Sequence, residues 1–115
     1  MPSRNASPIP HPAVDDIDLS SVLSALSDPV RLGIVAALAE RDSDIPCGTF
    51  DLPVGKSTGT HHFRVLREAG VLVQYDAGTR RLNQLRRAEL DVRFPGLLDL
   101  VLAQGRRVDI TVNQP

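Results

Sequence analysis

The chain has 115 residues, enough for one domain with a single core, and its 13 basic residues against 14 acidic ones give no hint of an anionic partner. A single cysteine excludes an internal disulfide framework and fits a reducing cytoplasm. No secretory segment and no apolar run of bilayer length is present, so a cytoplasmic location without membrane contact is expected.

Residues 1–15 are expected to form a disordered arm, because Met1 to Val14 carries four prolines among serine, asparagine and His11. Leu19, Val22, Leu23 and Leu26 then recur at helical spacing behind Asp18, a suitable N-cap for a first short helix. Asp28 and Pro29 repeat that signal as cap and first helical residue of a second helix, expected to run to about Arg41. Its inward set is Leu32, Val35, Leu38 and Ala39, and Gly33, Ala36 and Ala37 permit close helix approach.

Residues 42–55 hold Pro46, Gly48, Pro53 and Gly55, which leave room for one helical turn at most, around Thr49 to Leu52. From Lys56 the pattern is helical again. Gly59, His62, Phe63, Leu66 and Gly70 make one inward stripe, while Lys56, Ser57, Thr60, His61, Arg64 and Arg67 lie off it. Short hydrogen-bonding side chains followed by long cations suit an element that enters a major groove. Gly70 fits a left-handed cap, Val71 to Tyr75 has strand composition, Asp76-Ala77-Gly78-Thr79 supplies a turn, and Arg80 to Leu85 returns with Leu82 and Leu85 apolar. Arg80 and Arg81 start that return strand. A polar helix followed by an arginine-tipped hairpin is the arrangement of a winged helix-turn-helix, with the wing reaching the backbone or the narrow groove.

The distribution of charge supports this reading. Residues 56–87 carry seven cations against Glu68 and Asp76, whereas residues 1–55 carry three cations against eight acids. A local cationic footprint of this kind suits phosphates. The four aromatic residues are Phe50, Phe63, Tyr75 and Phe94; so few stacking platforms favour duplex over single-stranded DNA.

Beyond the hairpin, a helix is expected from Pro95 to about Gln104, with Gly105 as its stop. Leu97, Leu98, Leu100, Val101 and Leu102 make it apolar around most of its circumference. That exceeds what one small domain has to bury, so this helix and the first are expected to pair with their symmetry mates. Leu19, Val22, Leu23, Leu97, Leu98, Val101 and Leu102 are the dimerisation set. Residues 105–115 are expected to be a flexible tail.

The runs LSALSDPVRLGIVAAL, STGTHHFRVLREAGVL and GTRRLNQL are similar to the ArsR-type bacterial winged-helix transcriptional regulators. The resemblance covers Leu19 to Leu102. It implies a homodimer on a near-palindromic operator, usually a repressor. By that pattern Ser57, Thr58, Thr60, His61 and Arg64 face DNA from the recognition helix, and Arg80 does so from the wing. Members that sense metal carry a Cys-x-Cys pair where IPCGTFDL here has only Cys47, or Asp and His residues on the last helix, which has no histidine. No metal or other cofactor is therefore expected. Neither a phosphate loop nor paired carboxylates accompany Cys47 and His61, so no enzyme is expected either.

The expected architecture is mainly α with a small β-hairpin. A winged helix-turn-helix spans residues 16–104 and dimerises through its first and last helices. Its partners are double-stranded DNA and a second copy of itself, with no inducer indicated. The alternative is a winged-helix protein-interaction module that binds an acidic partner protein and no DNA.

Overall fold

Asp18 sits on extended backbone, and its carboxylate accepts the Ser21 N–H at 3.0 Å, which satisfies one of the orphan donors that open a helix. Helix α1 (Leu19–Leu26) follows and turns Val22, Ala25 and Leu26 inward. Asp28 does the same for α2 (Pro29–Ala39), accepting from the Val30 and Arg31 N–H groups at 2.8 and 3.1 Å with Pro29 in the first turn. Burial alone would raise the Asp28 carboxyl, but these two donors, with His62 and Arg31 nearby, hold it below the usual carboxylate range. Helix α2 is central. Leu32, Gly33, Ile34, Val35, Ala37 and Leu38 are all buried, a wider arc than the expected inward set because α1, the helix that opens at Lys56, the sheet and the C-terminal segment all pack against it.

The computed structural model describes residues 6–41 and 43–113. Among them, the stretch after α2 forms β2 (Ile45–Pro46), one 3-10 turn (Cys47–Thr49) and β3 (Phe50–Asp51). The helical turn lies two residues earlier than expected, and the flanking prolines and glycines hold it to three residues. Helix α3 (Lys56–Glu68) ends at Gly70, whose φ of 88° turns the chain into β4 (Leu72–Ala77). Strand β5 (Arg80–Leu85) returns in antiparallel register, with Ala77 opposite Arg80. The connecting turn is therefore only Gly78 and Thr79, with Gly78 at φ 64° in the first central position. Then come α4 (Arg87–Arg93) and α5 (Leu97–Gln104). Helix α5 starts at Leu97 and not at Pro95, because Gly96 is left-handed at φ 80°.

Both ends of the chain depart from expectation. Residues 6–8 of the expected disordered arm form β1 (Ala6–Pro8), paired antiparallel with β4, and a 3-10 turn follows at Val14–Asp16. Proline does not forbid this, since β1 is an edge strand that needs donors on one side only. Arg86 fastens the segment further by donating to the Pro12 carbonyl at 2.7 Å. The expected flexible tail is likewise anchored: Val108 N–H donates to the Pro29 carbonyl, β6 (Thr111–Val112) pairs with β3, and Val112 is buried. Residues 1–5, 114 and 115 lie outside the described residues.

The strand order is β1-β4-β5-β2, with β3-β6 as a separate pair, giving a helix-rich chain with a small antiparallel sheet. One core, centred on Ile17, Leu32, Ile34, Val35, Leu66 and Leu72, joins the helices to the sheet. Val22 (1 % exposed) and Leu98 (2 %) belong to it, which removes both from the residues available to a second chain. Leu97, Val101 and Leu102 are half-buried, and Leu19 and Leu23 are exposed. Among the described residues no single helix is long and apolar enough to cross a membrane.

Candidate nucleic-acid interface

Helix α3 presents its outer face because its inner face is fixed at several points. Gly59, His62, Phe63 and Leu66 are buried, and the Phe63 ring meets Phe50 edge-on with centroids 5.2 Å apart. Arg31 of α2 points its Nη1 at His62 Nδ1 at 3.2 Å and donates from Nε to the Ala25 carbonyl at 2.7 Å, so one guanidinium joins α1, α2 and α3. Burial first, and the Arg31 charge in addition, keep His62 below the usual histidine pKa, although Asp28 pulls the other way. The ring is then a neutral acceptor for Arg31.

Lys56, Ser57, Thr58, Thr60, His61 and Arg64 are all exposed on this helix. His61 Nδ1 and Arg64 Nη2 lie 3.1 Å apart, which pre-positions two long side chains on the outer face. On the wing, Arg80 is exposed and makes no ion pair among the described residues. Arg81 differs. It pairs with Asp76 across the strands at 2.9 and 3.3 Å, which holds the Asp76 carboxyl down and the guanidinium up in pKa.

The cationic footprint is smaller than the sequence count implied. Arg86 is buried and forks onto Glu89 at 2.8 and 3.1 Å, and Arg87 lies 3.6 Å from Asp91 and 3.0 Å from Asp99. Arg86 thus ties the start of α4 to the N-terminal segment, and Arg87 ties α4 to α5. Without them the accessible cations of the helix and wing are Lys56, Arg64, Arg80 and, partly, Arg67 and Arg81.

A buried polar cluster escaped the reading of the sequence. Gln74 and Asn83 face each other across β4 and β5, and Gln74 Nε2 donates to Asn83 Oδ1 at 2.8 Å. Asn83 Nδ2 donates to the Ile45 carbonyl at 2.9 Å and to Cys47 Sγ at 3.1 Å, and Arg67 Nη1 donates to Gln74 Oε1 at 2.7 Å. The signal was present in the strand period, since Gln74 sits two residues after the buried Leu72 and so shares its inward face. Burial pushes the Cys47 thiol up, against weaker opposing pulls from Asn83, Arg81 and Gln74. It is a protonated acceptor, not a thiolate. Among the described residues no three of His, Cys, Asp and Glu converge on a point where a metal ion could bind.

No family model matches the chain. It is 30% identical over 87 residues to the uncharacterized HTH-type transcriptional regulator YceK of Bacillus subtilis (strain 168), an alignment that covers 74% of this chain and 87% of that protein. The aligned length is most of both molecules, and on that similarity the chain belongs to the HTH-type transcriptional regulators.

Proposed function

We propose that the protein is a sequence-specific regulator of ArsR type that binds double-stranded DNA as a homodimer and represses transcription from a near-palindromic operator. The observation that carries this reading is the outer face of α3: six exposed polar or cationic residues, Lys56 to Arg64, on a helix whose opposite side is locked into the core. Polar side chains at the start of such a helix reach base edges, and Lys56 and Arg64 reach phosphates. Arg80 at the wing tip supplies a further contact to the backbone or narrow groove.

Two half-sites must be read for palindromic recognition, about 34 Å apart on one face of the duplex. The proposed interface uses the large apolar side chains left exposed on the helices: Leu19 and Leu23 on α1, Val92 on α4 and Leu100 on α5. Leu97, Val101 and Leu102 flank Leu100 and contribute their accessible parts.

The test is a gel-shift titration with the DNA upstream of the protein's own gene, beside a random duplex of the same length. A shifted band at sub-micromolar protein for the upstream DNA, lost on Thr60→Ala/Arg64→Ala, is expected. No shift at micromolar protein refutes DNA binding and leaves a module for an acidic protein partner.

A further inference from the structure

The segment that supports α3 has a single 3-10 turn between the two-residue strands β2 and β3, and Pro46, Gly48, Pro53 and Gly55 deny it a helix long enough to fill the space beside α3. A cleft of about 750 Å³ remains between residues 47–55, α3 and the Gln74 and Arg81 side of the hairpin, within the size range of small-molecule sites. Its lining has two characters. Phe50, Leu52, Val54 and Phe63 give an apolar wall, while Lys56, Arg64, Arg67 and Arg81 bring four cations against the single carboxylate of Asp51.

The state of those cations favours an acceptor from outside. Arg81 is occupied by Asp76, but Lys56 and Arg67 have no carboxylate partner among the described residues. Arg67 reaches Gln74 through Nη1, whereas its Nε–H is buried without a hydrogen-bond partner among the described residues. A guanidinium donor held that way is unfavourable, and a small rotation toward an anion in the cleft relieves it. An inorganic anion would leave the apolar wall unused, and the protonated Cys47 offers no thiolate to a metal.

We propose that this cleft binds an amphipathic organic anion, a carboxylate on an aromatic or short aliphatic body. Its charge lies against Arg64 and Arg67, one turn apart on α3, and its body lies against Phe50, Leu52 and Phe63. Lys56, Thr60 and Arg64 belong to the cleft and to the proposed DNA face alike. Ligand and duplex therefore exclude each other, which makes the anion an inducer; that second step rests on the DNA-binding reading.

Calorimetry of the full chain with 2-naphthoate, and with the neutral 2-naphthamide as its uncharged counterpart, tests the site without DNA. The amide is expected to bind at least about tenfold more weakly, the equivalent of one charge-assisted hydrogen bond. Arg67→Gln should cost naphthoate a similar factor, and Leu52→Trp should abolish its binding while circular dichroism stays native. No binding heat, equal affinity for acid and amide, or full naphthoate binding in Arg67→Gln each overturns the site, even if Leu52→Trp fails to fold. Fluorescence anisotropy on a duplex selected by the wild-type protein tests the second step. Saturating naphthoate should weaken duplex binding at least tenfold in the wild type and leave Leu52→Trp unaffected. Unchanged duplex affinity with naphthoate bound overturns the exclusion. A protein that binds no duplex at all refutes the DNA reading, and the calorimetric comparison still decides the cleft.

Discussion

At the scale of single residues, adjacent side chains of the same type have separate roles. Arg80 at the wing tip has no ion pair among the described residues, whereas Arg81, the next residue, already holds Asp76. Only a cation that displaces counterions from DNA without first breaking an internal pair contributes its full share to salt dependence. Arg80→Ala should therefore reduce the slope of log affinity against log salt by about 0.9, and Arg81→Ala by clearly less. Equal reductions would mean that the Asp76 pair opens on DNA. The adjacent histidines divide in the same manner: His61 is exposed, and His62 is buried against Arg31. The folded pKa of His62 lies below its ordinary value of 6.5, so the unfolded chain binds the proton more readily. The stabilisation is fully present above that value and is lost as pH falls through the folded one. Urea midpoints at pH 7.5 and 5.5 should drop for the wild type, and by less for His62→Gln, which keeps an acceptor for Arg31. Identical drops would remove His62 as the cause.

Elements differ in how far they could be read from the sequence, and the difference follows the range of the interactions that make them. Helices α1 and α2 announce themselves through Asp18 and Asp28, whose capping hydrogen bonds close within three residues, and through Pro29, whose fixed φ suits a first helical turn. The inward stripe of α3 is legible for the same reason, and with it the outer face of the candidate interface. Strands β1 and β6 are not legible, because each is two or three residues long and exists only through a distant partner, Tyr75 to Ala77 for one and Phe50 to Asp51 for the other. The cleft and the Gln74–Asn83 pair share that limitation. They depend on the hairpin register and on space that residues 47–55 fail to fill. Docking of the C-terminal segment has a sharp local requirement, since a Cβ on Gly33 would run into the Val108 carbonyl and the Ile110 side chain. Gly33→Ala should then destabilise the fold by about 1–3 kcal/mol through overpacking. It should also release residues 106–113, so that trypsin cuts after Arg106 and Arg107 faster than in the wild type. Unchanged cleavage would show that this segment does not lie against α2.

At the scale of the whole molecule, the distribution of apolar surface separates stability from association. Scattered exposed apolar residues are normal on a monomer, but Leu19, Leu23, Val92 and Leu100 are 43–80 % exposed on three helices and include none of the core residues. Leu98, on the same helix as Leu100, is 2 % exposed. Leu98→Ala should therefore cost about 2–5 kcal/mol of unfolding free energy without altering subunit affinity. Leu23→Glu/Leu100→Glu should do the reverse, retaining the fold while the sedimentation mass falls to that of one chain. Loss of the proposed dimer would have a calculable effect on DNA binding. When two half-sites are bound by one linked pair, the second contact is intramolecular, and its loss weakens operator binding by about 10²-fold or more. The double variant should accordingly bind a full palindrome no more tightly than a single half-site, whereas the wild type distinguishes them by that factor. A wild-type protein that sediments as one chain and binds half-site and palindrome equally well would refute dimeric recognition, while the exposed face of α3 would still account for the binding to each half-site.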